Sequence, residues 1–462
     1  MLTAVFDRDL IQRYDGRGPR YTSYPTAVQF HEGFSAEDYA RVAKASNGPD
    51  PANNPLSVYV HIPFCHSLCY YCGCHKIVSR HQYSADEYLD YLLEEIRLQA
   101  ELFDKRRPVA QLHFGGGTPT FLTQAQFSRL MDGLSAHFNL SDSPEREYSI
   151  EIDPRSTDLS TMPYLASVGL NRVSLGVQDF DPDVQKSVNR IQSQQDTLAL
   201  VAQAREHGFG SVSVDLIYGL PLQTAERFRK TVDAVAEARP DRLAIYSYAH
   251  LPRMFRSQRL IPDEQIPSAA EKLRLFQSTV ERLTELGYEY IGMDHFALPQ
   301  DDLVRARDDG TLHRNFQGYS THADLDLVGL GLSSIGKVGP SYAQNLKLRK
   351  DYYPTIEAGR LPVYRGVACT GEDLMRRHVI HALMCGGVAD FEAIGQRFGI
   401  DFKDHFGAEL ARLAELEKDG LVAVEDRQVT VTPEGRFLLR PIAMCFDAYL
   451  GGEKSGGFSK VI

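Results

Sequence analysis

Three cysteines carry the first chemical signal. Cys65, Cys69 and Cys72 stand at the spacing C-x3-C-x2-C, just past a strand-like run at 56–62. In a reducing compartment, thiols this closely grouped read as metal ligands or redox groups rather than disulfides. A 4Fe–4S cube has four irons, and an electron-transfer cluster normally receives a thiolate on each. Three thiolates leave one iron open to a ligand from outside the protein. A ferredoxin would enlist Cys74 as the fourth ligand, but the run does not match C-x2-C-x2-C-x3-C, so Cys74 is expected beside the cluster. A structural zinc site would recruit a second pair of Cys or His ligands at a matching spacing. None stands downstream, although His61, His66 and His75 lie close. The scattered Cys369, Cys385 and Cys445 read as small buried hydrophobes.

At this cysteine spacing the ligand of an open iron is the amino and carboxylate groups of S-adenosylmethionine. An electron passed from the cluster to its sulfonium breaks a C–S bond and releases a 5′-deoxyadenosyl radical. A second signal follows a strand-like run at 110–114: Gly115, Gly116 and Gly117, then Thr118-Pro119-Thr120. Consecutive glycines let the backbone approach a ligand and present its N–H and C=O groups. Polar residues also punctuate other strand-like runs. Glu151 and Asp153 end one, Gln178 another, Asp215 lies within a third, and Ala249-His250 follow a fourth. Each taken alone is as readily a satisfied core group as a ligand contact. Together they ring one end of a sheet, where the active site of a barrel lies.

The elements that would position these groups alternate. Strand-like runs at 56–62, 110–114, 147–153, 171–177, 211–219 and 242–248 are separated by helical patterns at 86–102, 124–137, 194–207 and 225–238, and another helix is expected at 269–286. His207-Gly208 and Leu286-Gly287 are helix stop signals. Alternation of this kind predicts βαβ units and a parallel sheet. The strands read as nearly continuous apolar runs, as when both faces are covered. The expected fold is α/β, a TIM-like, partial barrel of about six βα units, with a doubly wound open sheet as the alternative. Beyond about residue 365, helical patterns at 373–384, 390–398 and 409–419 lead into a hairpin pattern at 421–435, an order that resembles a winged helix. Three parts are expected: an N-terminal arm at 1–54, the barrel and its extension at 55–360, and a smaller, mostly helical domain at 361–462. A glycine-rich tail follows at 451–457.

Bulk properties narrow the partners. The chain has 462 residues, 43% hydrophobic and 24% charged, with a formal net charge of −11. That charge, without a dense Lys/Arg tract, argues against a nucleic-acid partner. The acidic residues of the C-terminal region, among them Glu409, Glu415, Glu417 and Asp419, point to a packing role there rather than DNA binding. No apolar run approaches the ~20 residues that span a bilayer. The charges at Asp7, Arg8 and Asp9 break any secretory leader, so a cytoplasmic protein without membrane insertion is expected. Arg8, Arg13, Arg17 and Arg20 are either a solvated arm or a segment that folds over an anionic substrate.

The run from Tyr59-Val60-His61-Ile62-Pro63-Phe64-Cys65 to Cys74-His75-Lys76, followed by HFGGGTPT, resembles the oxygen-independent coproporphyrinogen III oxidases of the radical S-adenosylmethionine superfamily. The similarity continues through EIDPR (151–155), GVQDFD (176–181), VNR (188–190), DLIYGLP (215–221), YAHLP (248–252), MDHFA (293–297), NFQGY (315–319) and GLGLSSI (329–335). It begins at RYTSYPT (20–26) and reaches FDAYL (446–450), nearly the whole chain. The resemblance implies one 4Fe–4S cluster on Cys65, Cys69 and Cys72, and two molecules of S-adenosylmethionine. Tyr59, Gly116, Glu151, Ala249 and Ile335 then look like contacts of the cluster-bound molecule. Tyr71, Gly117, Thr118, Gln178, Arg190 and Asp215 look like contacts of the second, with Arg190 on a carboxylate. The arginine-bearing arm looks like a segment that closes over the active site. His75 stands where asparagine is expected, and Tyr71 where phenylalanine also occurs.

The activity implied is anaerobic decarboxylation of two propionates of coproporphyrinogen III to vinyl groups, giving protoporphyrinogen IX in haem biosynthesis, with an unidentified electron donor and electron acceptor. A monomer is expected from the match to a self-contained fold. Two relatives in kind compete. A haem chaperone would lack the RYTSYPT arm and a counterpart of Cys74, and a haem-degrading, ring-opening methyltransferase would share much of the barrel.

Overall fold

The computed structural model describes residues 4–322 and 324–450; the glycine-rich tail lies outside them. The chain divides into two compact units, one of residues 30–268 and 325–368, the other of the described parts of 1–29, 269–324 and 369–462. Every candidate site residue falls in the first.

That unit is built on a parallel sheet. Its strands are β1 Leu56–Ile62, β2 Pro108–Gly116, β3 Glu147–Ile152, β4 Arg172–Gln178, β5 Ser211–Tyr218 and β6 Arg242–Ser247, each within two residues of its expected position. They lie side by side in chain order and all pair in parallel. β7, Asp326–Leu330, adds a parallel strand on the other edge of β1. Antiparallel strands β8 Ile335–Val338, β9 Ser341–Asn345 and β10 Val363–Ala368 continue the path.

The crossover helices are amphipathic for a visible reason. In α1, Tyr83–Ala100, the residues Tyr88, Leu89, Leu92 and Ile96 recur at helical spacing and are fully buried. Burying each such apolar side chain contributes about 1.5–3 kcal/mol. Leu93 leaves no room for a Cβ at Gly133 of α2, Gln124–His137, and that glycine lets the two helices close. Thr123 caps α2 with a capping box through Gln126. α3, Gln194–Glu206, ends before Gly208 at φ +82°, the left-handed stop expected of glycine. α4 follows at Ala225–Glu237.

The strands are less uniformly apolar than their sequence suggests. β4 and β5 alternate buried with half-buried positions. The buried set (Val173, Leu175, Val212, Val214, Leu216) is core. The half-buried set is mostly polar, Gly176 and Ile217 apart: Ser174, Gln178, Ser213 and Asp215, and Ser149 and Glu151 on β3. Register aligns them, with Tyr59 opposite His113, His113 opposite Ser149, Glu151 opposite Ser174, and Ser174 opposite Ser213. Because side chains alternate across a strand, these residues share one face. One side of the sheet is therefore a core and the other a polar lining.

The second unit holds the helix Ala269–Glu285 and the helices Gly371–His381, Phe391–Phe398 and Gly407–Lys418. A three-stranded antiparallel sheet of Val388–Asp390, Gln428–Val431 and Val422–Val424 completes the winged-helix-like order. The RYTSYPT segment is anchored within this unit. Tyr21 Oη donates to Asp447 at 2.9 Å, the Ala448 N–H donates to Tyr24 Oη at 3.0 Å, and Arg20 pairs with Asp294. Arg13 pairs with Asp419 at 2.7 Å.

Candidate active site

The cysteines sit on a loop that leaves the C-terminal end of β1 and is held by long-range bonds rather than by local propensity. Asn189 Nδ2 donates to the Leu68 carbonyl at 2.7 Å, and the Tyr70 N–H donates to the Val188 carbonyl at 3.0 Å. Gln258 Nε2 bridges the carbonyls of Tyr71 (2.9 Å) and Ala249 (3.2 Å). Lys76 Nζ donates to the Cys72 carbonyl at 2.8 Å. The glycine loop braces the start of the same segment. The Gly117 N–H donates to the Ile62 carbonyl at 2.8 Å and the Thr118 N–H to that of Phe64 at 2.7 Å. A Cβ at Gly117 would lie 2.6 Å from the Phe64 oxygen, and one at Gly116 (φ +116°) would lie 2.6 Å from the His61 ring, so neither position admits a side chain.

Two charge groups flank this loop. The first faces Cys69. Arg155 Nη2 donates to Cys69 Sγ at 3.2 Å and to Asp153 at 2.6 Å. Arg190 Nη1 donates to Cys69 Sγ at 3.4 Å, and its other terminal nitrogen donates to the Gly176 carbonyl. Burial alone would raise the Asp153 carboxyl, but Arg190 and Arg155 outweigh it and hold it below the usual carboxylate range. Asp153 thus balances and aims two cations at one sulfur. Arg190 Nε is buried and has no hydrogen-bond partner among the described residues.

The second group lines the polar face of the sheet. His113 Nε2 donates to Glu151 at 3.2 Å while its Nδ1 meets Ser149 Oγ at 2.5 Å. The Gly116 N–H points at the other oxygen of Glu151 from 3.4 Å. Burial would lift Glu151, but the His113 hydrogen bond and charge hold it low, and its side chain keeps 47% exposure. Asp215 differs. Burial, then the charge of Glu151, pushes it up to about 7, and Ser174 at 3.2 Å is its hydrogen-bond donor. The Tyr59 ring stacks on that of His113 at 5.8 Å. His61 is neutral, because burial and then His75 pull it down to about 4. Its Nε2–H donates to the His75 carbonyl at 3.1 Å, leaving Nδ1 to accept from Tyr59 Oη at 3.0 Å.

Of the expected residues, Tyr59, Gly116, Gly117, Thr118 and Glu151 meet around His61, His113 and the loop base. Thr118 Oγ1 lies 3.7 Å from Cys65 Sγ. Gln178 and Arg190 converge on Gly176, where a Cβ would lie 2.9 Å from the one and 3.0 Å from the other. Gln178 has a left-handed backbone (φ 69°) at a register shift between β4 and β5, the kind of local strain that collects at functional sites. Tyr71 and Ala249 are tied through Gln258, and the Ile335 backbone presses against Gly329, opposite Tyr59. Arg190 was expected on a ligand carboxylate; here its terminal nitrogens are taken by Asp153, Cys69 and Gly176.

Residues that sequence reading left without a role stand out beside these. Arg155 belongs to the EIDPR run and directs charge at Cys69. Gln258 lies in a short 3-10 turn, Arg256–Leu260, with no periodic signal to mark it. The donor set fits an iron–sulfur cluster. Guanidinium N–H groups reach Cys69 Sγ and a hydroxyl lies 3.7 Å from Cys65 Sγ, donors suited to metal-bound sulfur, while burial pushes the free Cys65 thiol up to about 11. Asp215 and Arg190 Nε retain capacity for a polar ligand beside it.

Comparison with known proteins agrees. Residues 59–235 match the Radical SAM superfamily, and residues 369–438 match the HemN C-terminal domain. The chain is 49% identical to the oxygen-independent coproporphyrinogen III oxidase of Salmonella typhimurium, over 99% of this chain and 98% of that one. It is 48% identical to the protein of that name from Pseudomonas aeruginosa, over 100% and 99% of the two chains. A solved structure of coproporphyrinogen III oxidase (HemN) from Escherichia coli, described as a radical SAM enzyme, superposes with a TM-score of 0.91 at 48% identity, covering 97% of this chain and all of that one. Radical SAM proteins use a 4Fe–4S cluster and S-adenosylmethionine, and among the described residues no helix is long and apolar enough to cross a membrane. With the cysteine loop, the glycine brace and nearly the full length matched, this chain belongs to the family of oxygen-independent coproporphyrinogen III oxidases.

Proposed function

We propose that the chain decarboxylates two propionate side chains of coproporphyrinogen III to vinyl groups without oxygen, giving protoporphyrinogen IX. The observation that carries this reading is the convergence of one cysteine loop, two guanidinium groups on Cys69 and two carboxylates of opposite character at one end of a parallel sheet. When bound, a cluster on Cys65, Cys69 and Cys72 together with S-adenosylmethionine supplies a 5′-deoxyadenosyl radical, able to take a hydrogen atom from a propionate β-carbon. Loss of CO2 and of one electron, passed to an acceptor outside the chain, then leaves the vinyl group.

The chain's own work is to bind, orient and shield. Ionised Glu151, held low by His113, accepts hydrogen bonds from a ribose or an ammonium. Asp215, raised to about 7, can donate as well as accept. Arg155 and Arg190 hold Cys69 Sγ by two N–H contacts and fix its direction. Two S-adenosylmethionine molecules are the fuller form of the proposal. Tyr59, Gly116, Glu151, Ala249 and Ile335 would contact the cluster-bound one. Tyr71, Gly117, Thr118, Gln178, Arg190 and Asp215 would contact the second. The two neighbourhoods, one around His113 and one around Gly176, support that division.

The test is an anaerobic turnover of reconstituted protein with coproporphyrinogen III, S-adenosylmethionine, a reductant and cell extract as a source of electron acceptor. Protoporphyrin after oxidative work-up, with 5′-deoxyadenosine formed alongside, is expected. Cleavage of S-adenosylmethionine with the porphyrinogen untouched would remove the substrate assignment and leave the radical machinery standing.

A further inference from the structure

A groove of about 590 Å³ opens beside the cysteine loop, lined in part by Cys72, Lys76, Met254, Arg256, Gln344 and Lys347. Its charge is one-sided. Three cations line it and no aspartate or glutamate does, although acidic residues outnumber basic ones 61 to 50 in the whole chain. Elsewhere in this unit cations meet acids: Arg155 meets Asp153, and Arg97 lies between Glu94 and Glu101. Lys76 instead donates to the Cys72 and Cys74 carbonyls, at 2.8 and 3.5 Å, which fixes it at the cysteine edge. Among the described residues Arg256 and Lys347 have no carboxylate partner. Behind them Arg365 donates to Gln344 Oε1 at 2.8 Å and adds to the field. Burial and then this Arg365 charge pull the Lys347 ammonium below its usual value, as unneutralised positive charge does. Like charges gathered without a counter-charge are a standing cost that an anionic ligand removes.

The ligand's chemistry follows from shape and charge together. The volume lies in the range of small-molecule sites, and the groove is open rather than enclosed. Its wall also carries apolar surface at Met254 and Phe255, where an uncharged ring system can rest. We infer that Lys76, Arg256 and Lys347 form a subsite for propionate carboxylates of the tetrapyrrole, holding those that are not reacting while another propionate is presented on the cluster side. The inference rests on the function proposed above. It supplies what that function needs and the site described earlier lacks: recognition of a molecule with several carboxylates.

The experiment uses the full, cluster-loaded chain with Arg256→Gln and Lys347→Gln combined, leaving Lys76 in place because it ties the cysteine loop. With dithionite as reductant, KM for coproporphyrinogen III should rise about tenfold or more for the pair of lost charge contacts, with KM for S-adenosylmethionine unchanged. In parallel, the stable oxidised porphyrin, coproporphyrin III, should bind more weakly by fluorescence titration, and its binding should lose most of its salt dependence. The charge-keeping pair Arg256→Lys and Lys347→Arg should restore both. Unchanged KM and porphyrin affinity would overturn the subsite. So would a defect seen only when an acidic reduced flavodoxin replaces dithionite, since the groove would then be a docking surface for the electron donor. If the wild-type chain forms no vinyl product, the proposed function falls, and the porphyrin titration still decides the subsite.

Discussion

Two carboxyl groups in the same unit, Glu95 and Asp215, are both pushed up to about 7, burial being the main cause in each. Their surroundings are otherwise opposite. Glu95 is fully buried and surrounded by donors. It accepts the Gly331 N–H at 2.8 Å, Asn345 Nδ2 at 2.7 Å and the Tyr352 hydroxyl. Among the described residues Asp215 has Ser174 alone as a hydrogen-bond donor, and it faces the like charge of Glu151 and stands half-buried on the polar face of the sheet. Glu95 pins the turn that follows β7 to α1. Asp215 is left with unused hydrogen-bonding capacity beside the cysteine loop. A shifted pKa alone does not mark a site. A shifted pKa with unfilled partners does.

The comparison breaks most visibly at the cysteines, which belong with the Asp215 side. Replacing Cys65, Cys69 or Cys72 by serine should abolish the 4Fe–4S absorption and all turnover. Cys74→Ser should keep the absorption. Next in size, Glu95→Ala should cost about 3 kcal/mol of stability, because the donors of Gly331, Asn345 and Tyr352 stay buried without an acceptor. Thermal or urea unfolding reads that loss, and the remaining folded protein should still cleave S-adenosylmethionine. Asp215→Asn should do the reverse: about a hundredfold loss of turnover with stability unchanged or slightly raised, since it removes a like charge facing Glu151.

The remaining effect concerns pH. A carboxyl whose folded pKa is raised binds its proton more tightly folded than unfolded. Its contribution is therefore full below the unfolded value, 4.5 for Glu95 and 3.8 for Asp215, and is lost as pH rises toward about 7, at up to about 1.4 kcal/mol per unit per group. Glu95→Gln should flatten the unfolding free energy across that window. Saturating S-adenosylmethionine should flatten the Asp215 share and leave the Glu95 share intact, because Asp215 alone has capacity to accept from a ligand.

Much of the candidate site was legible in the sequence. The C-x3-C-x2-C spacing, the glycine run and the polar residues of β3 to β5 each break a local pattern, and a broken pattern can be seen without coordinates. The six parallel strands were legible for the same reason, since each is a short apolar run between helical stretches. What escaped depends on distant partners. β9, Ser-Tyr-Ala-Gln-Asn, is buried at every position yet half polar, so no periodicity announces it. Gln258 looks like any polar turn residue until Tyr71 and Ala249 are found at its amide. Arg155 was visible within EIDPR, but its hold on Cys69 spans 86 positions of sequence. The alternation of β4 and β5 was hidden because Ser174, Gly176 and Ser213 are small enough to pass as core.

The most direct measurement of three-cysteine ligation is the electron paramagnetic resonance spectrum of the reduced, cluster-loaded chain with and without S-adenosylmethionine, on wild type and Cys74→Ser. An iron open to ligand predicts a spectrum that shifts when S-adenosylmethionine is added, in both proteins alike. A spectrum indifferent to S-adenosylmethionine, or a cluster lost with Cys74, would mean that four thiolates close the cube and would contradict the ligation by Cys65, Cys69 and Cys72.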